Sequence, residues 1–369
     1  MATRAQTALA ELLATKEMVV VCGSGGTGKT TIAAALGAQA AATVGGRVLV
    51  LTVDPARRLA SALGVGQFGN TEVRVPDEAF AAAGVKPRGE MWVAMLDTKA
   101  GWDELVRRHA PDAKLREQVL ANPLYRNITS RFVHSHDYIA MERLQELHAS
   151  GRYDLVIIDT PPSRNALDLL DAPGRMREFF GSRLLRWLTV PYRSRLFTIA
   201  SKPFYQVADR VLGSRFLQDI AEFFVLFQAM EPGFVARAKE VERLLTDQRT
   251  TFIVVSTLEA APAHEARFLA AELAARRMPL GALVLNRTLP ASIRGSAAGR
   301  AANELRAAAD DAHLTKRLAG ASAVALDPAA TAAEVHDVLV EVAERFHDTA
   351  IVAAREAERR RELAAVAPI

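Results

Sequence analysis

Residues 18–31 read MVVVCGSGGTGKTT. The first five are apolar without alternation, the pattern of a short strand buried on both faces at the centre of a parallel sheet. Gly23 to Thr30 then match G-x-x-x-x-G-K-[ST], and the alanine-rich run Thr31–Ala42 reads as a helix. Strand, glycine-rich loop and helix in that order form a phosphate cradle. Along Gly25, Gly26, Thr27 and Gly28, backbone N–H groups can converge on an anion where larger side chains would obstruct it. Lys29 offers a mobile ammonium to the outer phosphates, and the Thr30 hydroxyl suits Mg²⁺. The start of the helix adds its positive dipole end. The expected ligand is a nucleoside triphosphate.

Outward from the loop, Val48–Val53, Leu155–Asp159, Thr251–Ser256 and Leu280–Leu285 repeat the buried-strand pattern. Met91–Leu96 and Ala323–Leu326 are weaker strand candidates, and Pro262–Arg276 and Ala330–Arg345 read as helices. The alternation predicts an α/β, doubly wound, mostly parallel sheet within a single domain over 1–369. Two stretches, about 99–150 and 173–247, are helical in pattern with no strand. They are expected to form a helical subdomain from two insertions. The charged run AREAERRREL places a last helix or tail over 348–369.

Composition excludes several classes. Of 369 residues, 50% are hydrophobic and 24% charged, which is globular. A formal charge of +4 is too thin for a chain organised around a polyanion, so nucleic acid is not an expected partner. The single cysteine, Cys22, ends the first strand and reads as a small buried hydrophobe; one thiol builds neither a disulfide nor a thiolate zinc site. His134 and His136 are two apart and fall on different helix faces. Arg4, Glu11, Lys16 and Glu17 interrupt the amino terminus, so no signal peptide is expected. No apolar run approaches the roughly 20 residues that cross a bilayer. A cytoplasmic location is expected.

Two aspartates sit where nucleotide chemistry occurs in such sheets, beyond the carboxyl ends of strands. Asp54 follows VLVLTV and Asp159 ends LVIID. Either carboxylate could hold Mg²⁺ or orient a water toward the outermost phosphate. Each alone could equally cap a helix.

With these residues in view, the chain resembles the dimeric deviant-Walker P-loop ATPases, most closely the arsenite-pump and tail-anchored-protein-targeting branch of the anion-transporting ATPase family. Gly25–Thr31, Asp54-Pro55-Ala56 and Asp159-Thr160-Pro161-Pro162 carry the likeness, which covers most of the chain. In the branch's D-T-A-P-T-G-H-T string, Arg164, Asn165 and Ala166 replace Gly-His-Thr. The resemblance implies ATP and Mg²⁺ as cofactors, with Lys29 and Thr31 on phosphate and Thr30 on Mg²⁺. It also implies Asp54 positioning the lytic water and Asp159 on the Mg²⁺ side. Asn286, after LGALVL, falls where the family reads adenine with an amide. Glu259 falls where an acid reaches the neighbouring subunit's nucleotide. Asn286 taken alone is an ordinary turn residue.

The likeness breaks at Ser24, where the family carries a lysine that crosses the dimer interface. Three explanations stand: a heterodimer with a P-loop paralogue that keeps the lysine, a slow homodimer, or substitution by Arg57 or Arg58. The heterodimer is preferred. The branch's C-x-x-C zinc pair is also absent. In the targeting relatives, helices after the second switch hold an apolar client, and residues 173–236 correspond. They carry Phe179, Phe180, Trp187 and Phe223–Phe227 beside Arg175, Arg177, Arg183, Arg186, Arg193 and Arg195, which fits either ordinary core or a surface for a protein client or membrane face. The resulting expectation is a Mg²⁺-dependent ATPase switch, with peripheral membrane attachment left open. The alternatives are a partition- or division-site ATPase acting on DNA or membrane, and a nucleotide-bound scaffold with little turnover.

Overall fold

In the computed structural model, the described residues are 2–53, 71–96, 98–110, 112–122, 125, 135–162, 167–172, 174–175, 178, 231–322 and 330–366. The expected strand at 323–326, Asp54, Arg57, Arg58, residues 163–166 and all of 179–230 lie outside them. The chain divides into two compact units. The first is Met1–Val255 with Leu269–Ala282, and the second is Ser256–Phe268 with Leu283–Ile369.

The first unit opens with α1 (Ala2–Thr15), β1 (Met18–Cys22), α2 (Lys29–Thr43) and β2 (Arg47–Thr52). A two-residue strand β3 (Val73–Arg74), a short helix α3 (Asp77–Ala81) and β4 (Glu90–Met95) follow. Helices α4 (Thr98–His109), α5 (Ala113–Ala121) and α6 (Ser135–Ala149) precede β5 (Leu155–Asp159), and α7 (Glu231–Thr246) precedes β6 (Thr250–Ser256). Helix α8 (Ala260–Ala275) and β7 (Leu280–Leu285) run from one unit to the other.

Among the described residues the sheet has seven strands in the order β3-β4-β2-β5-β1-β6-β7. β1 lies parallel between β5 and β6, β2 lies parallel between β4 and β5, and only β3 is seen antiparallel to its partner. The central strands are apolar on both faces because both are covered: β1, β5 and β6 are buried throughout, and β2 is buried after Arg47. Removing each large aliphatic side chain from water contributes roughly 1.5–3 kcal/mol, so this five-to-seven-residue apolar pattern suffices to specify the layer. Strand β7 departs from expectation. Of its six residues only Leu283 is buried. It ends the described sheet with a neighbour on one side, so its apolar sequence is covered less than that of the central strands.

Helix α2 packs a face of small residues (Ala33, Ala34, Gly37, Ala40, Ala41) together with Leu36, and the small size lets it lie close to the sheet. In the helical region, Trp102, Tyr138 and Phe234 cluster, with Tyr138 and Phe234 ring centres 5.5 Å apart. The Tyr138 hydroxyl donates to Glu142 at 2.5 Å, and burial lifts the Glu142 carboxyl above its ordinary range.

In the second unit, α9 (Ala297–Asp310), α10 (Ala312–Ser322) and α11 (Ala332–Ala364) pack together. Thr331 and Glu334 form a reciprocal capping box that starts α11. No glycine or proline follows until after Ala364, so the helix continues for 33 residues, about 50 Å at 1.5 Å per residue. Residues 348–364, read as a separate charged helix or tail, are its second half, and Ala353 and Leu363 within them are buried. No described helix is long and apolar enough to cross a membrane.

Candidate functional site

The loop between β1 and α2 is held from below and left open above. Gly23 lies at φ +147°, and a Cβ there would sit 2.1 Å from the Val255 carbonyl oxygen, so only glycine fits against β6. Gly26 and Gly28 take φ of +78° and +94°, the left-handed region. Gly25 is different: its φ is unexceptional, and a built Cβ meets no atom within 4 Å. The protein's own packing does not demand glycine at Gly25. The space above it suits a group from outside, which is the arrangement a phosphate cradle needs.

Gly28 is also the N-cap of α2 and, as a glycine, supplies no side-chain cap of its own. The positive dipole end of the helix therefore lies at the end of the glycine loop, where an anion would be favoured. Lys29 is buried and donates from Nζ to the Ser24 carbonyl at 3.0 Å; the Thr27 hydroxyl donates to the same oxygen at 2.9 Å. The ammonium is thus already folded over the loop. Thr30 is half-buried in the first turn of α2 and Thr31 is exposed. Ser24 is enclosed, and its hydroxyl has no hydrogen-bond partner among the described residues.

Beneath the loop, burial pushes the Cys22 thiol up to about 12, against the pull of the Lys29 ammonium. The thiol stays neutral at ordinary pH, which agrees with its reading as a small buried hydrophobe.

Asp159 is fully buried, in register with Val21 on one side and Thr52 on the other. The Thr52 hydroxyl donates to Asp159 Oδ2 at 3.0 Å. Thr160 anchors the next residue, donating from both its backbone N–H and its hydroxyl to the Val21 carbonyl. The carboxylate is therefore fixed at the meeting of three strand ends, β1, β2 and β5. Thr52 and Thr160 hold the acid and the chain after it in place, and the sequence reading gave neither of them a role. Their signal was present, a hydroxyl at the end of an otherwise apolar strand and another directly after the acid. Thr30 and Asp159 together offer hard oxygen donors, a set that suits Mg²⁺.

Glu259 and Asn286 belong to the second unit. Glu259 is exposed just before α8. Asn286 follows β7, donates its backbone N–H to the Ser256 carbonyl at 2.8 Å, and accepts the Arg287 N–H on its side-chain oxygen at 2.9 Å. Arg287 takes φ +54°, uncommon for a residue other than glycine.

A buried parallel sheet, a glycine loop feeding a helix from its central strand, a lysine over that loop and an acid at the adjacent strand end define a P-loop ATPase domain. The sequence profile of the anion-transporting ATPase family matches residues 16–308, and the chain belongs to that family. It is 30% identical over 273 residues to an uncharacterized protein of Streptomyces coelicolor, covering 74% of this chain but 62% of that one. It is 24% identical over 286 residues to a protein of Entamoeba dispar named ATPase ASNA1 homolog, covering 75% and 77% of the two chains. A Leishmania infantum protein of the same name is 31% identical over 199 residues, 47% of each.

Proposed function

We propose that the chain binds ATP with Mg²⁺ on the loop Gly23–Thr30, hydrolyses it, and uses the cycle as a dimeric switch that handles a protein client. The observation that carries this is the loop: Gly25 faces open space, the N-cap of α2 is a glycine with no cap of its own, and Lys29 is folded over the same turn. On this reading Lys29 exchanges its bond to the Ser24 carbonyl for phosphate oxygens, and Thr31 lies beside the innermost phosphate. Thr30 and Asp159 would hold Mg²⁺, which would offset the negative charge that develops on the phosphate oxygens. Asp54 orients the attacking water, Asn286 reads the base, and Glu259 meets the partner's nucleotide. The two relatives named as ATPases support turnover.

Ser24 supports a heterodimer, because its enclosed hydroxyl supplies neither charge nor reach where the family carries its interface lysine. The same feature favours a second reading, a nucleotide-bound scaffold with little turnover of its own. Calorimetry with ATP and ADP, with Mg²⁺ and with a chelator, tests binding; phosphate release tests turnover. Micromolar ATP binding that weakens on chelation, with slow hydrolysis raised by Ser24→Lys, is the expected result. A folded sample that takes up neither nucleotide overturns the proposal. Sedimentation with ATP tests the dimer, and co-purification of a P-loop paralogue tests the heterodimer.

A further inference from the structure

The ends of β2 and β5 place two polar side chains in an otherwise apolar layer. Thr52 and Asp159 are partners across these parallel strands, and both are buried. Partners in register stand on the same face of a sheet. Here they meet, the Thr52 hydroxyl donating to Asp159 Oδ2 at 3.0 Å.

The main chain around the pair is held from several sides. The Val53 N–H donates to the Asp159 carbonyl at 3.1 Å, and the Leu96 N–H donates to the Thr52 carbonyl at 3.0 Å. The Thr160 N–H donates to the Val21 carbonyl at 3.2 Å. The backbone thus fixes where the Asp159 Cβ lies. It leaves the outer torsion of the carboxylate open, because χ2 of an aspartate is broad. A hydroxyl on the neighbouring strand selects within that breadth. Its bond to an ionised carboxylate, the form that binds metal, is charge-assisted and roughly twice as strong as a neutral one. Threonine suits the task, since its branched Cβ restricts χ1 and presets the donor. Thr160 is not equivalent: its hydroxyl donates to the Val21 and Pro161 carbonyls, so it holds main chain.

Placement gives this orientation a use. β5 is the parallel neighbour of β1, whose end feeds the Gly23–Thr30 loop, and ligands of open α/β sheets lie beyond the carboxyl ends of the strands. All of these residues belong to the first unit. We propose that Thr52 is a positioning residue for the Mg²⁺ side of the nucleotide site, holding the Asp159 carboxylate in one orientation for the metal. The inference rests on the reading of Thr30 and Asp159 as the Mg²⁺ donors. It assigns Thr52 to the metal-dependent part of nucleotide affinity and leaves the phosphate cradle independent of it.

Calorimetry on the full chain with ATP, once with Mg²⁺ and once with a chelator, tests this. In Thr52→Val and Thr52→Ala, affinity for ATP with Mg²⁺ falls about five- to twentyfold, while affinity for chelated ATP moves by less than about twofold. Thr52→Ser, which keeps the donor, restores most of the loss. Retained binding of chelated ATP also reports that each variant is folded. Electron paramagnetic resonance of free Mn²⁺, titrated against protein with ADP, shows the same weakening without turnover. Asp159→Asn loses the metal-dependent gain, and adding Thr52→Val to it costs nothing further. Thr250→Val removes another buried hydroxyl, one that donates to the Leu244 carbonyl at the opposite end of the sheet, and leaves both affinities unchanged. Unchanged affinity with Mg²⁺ in the Thr52 variants overturns the inference. So does an equal loss with and without metal, which marks a merely structural hydroxyl, or a further loss on top of Asp159→Asn. Wild-type protein that binds ATP equally with and without metal removes the role of Asp159, and that of Thr52 with it, but leaves the phosphate loop standing. Failure to bind ATP in either condition removes the nucleotide reading itself.

Discussion

The phosphate loop and the paired loops after β6 and β7 achieve fixed geometry by opposite means. In the first, residues 18–31 hold nearly everything required: a buried strand below, glycines that take the necessary dihedrals, and a lysine and threonine on the next helical turn. One tertiary contact, Gly23 against Val255, completes it. In the second, Asn286 and Glu259 make short-range bonds within and between their loops, and further restraint arrives from Glu356 and Arg359 on a distant helix. A site built from adjacent residues keeps its shape whenever its strand is in the sheet. A site braced from afar keeps its shape only while the brace is docked, and can therefore be tuned without touching the ligand.

Several measurements would break or sharpen that contrast. The largest effect is expected at Lys29: Lys29→Ala should lower ATP turnover by about 100- to 1000-fold, in line with removal of a preorganised charge, while far-ultraviolet circular dichroism stays unchanged. Next, Gly23→Ala and Gly25→Ala should separate folding from binding. The first drives a methyl into the Val255 carbonyl and should cost about 3 kcal/mol in urea unfolding, as overpacking does. The second meets no protein atom and should leave stability within about 0.5 kcal/mol yet weaken tripolyphosphate. Equal losses of stability in the two variants would mean that the loop is not locally specified as described.

Smaller effects belong to α11. Thr331→Ala removes the N-cap and should cost about 1 kcal/mol, read as a lower urea midpoint. The capping box also makes a pH prediction. Hydrogen bonds from the Thr331 N–H and hydroxyl hold the Glu334 carboxyl below its ordinary range. A native pKa below the unfolded one means the stabilisation is complete above the ordinary glutamate value, about 4.3, and is lost as pH falls through the lowered value. Glu334→Gln, which resembles the protonated acid, should therefore lower stability modestly at neutral pH, match the wild type at low pH and flatten the acid side of the profile; an unaltered acid limb would show that the box carries no such linkage.

The same contrast decides what could be read before the structure. The loop and the central strands were legible because burial on both faces leaves an unmistakable apolar run, and because a glycine motif is a local requirement. Asp159 was legible as an acid ending such a run. Its partner Thr52 was not singled out, since a threonine at a strand end has many uses and only the register with Asp159 reveals this one. The half-buried state of β7 depends on its place at the margin of the described sheet, which its composition does not encode. In AREAERRREL, Glu356 and Arg359 look like their solvated neighbours Glu358 and Arg360. Position on the folded helix separates them; residue type does not.

The short strand β3 carries a consequence of its own. Val73 and Arg74 pair antiparallel with β4, both are exposed, and Pro76 follows two residues later. Arg74 is engaged by Asp77 and Glu90. A margin two residues long, bearing a cation and closed by an imide without an N–H, gives an incoming chain almost nothing to zip onto. At that boundary the sheet resists extension by another molecule, so concentrated samples should not polymerise edge to edge through this side.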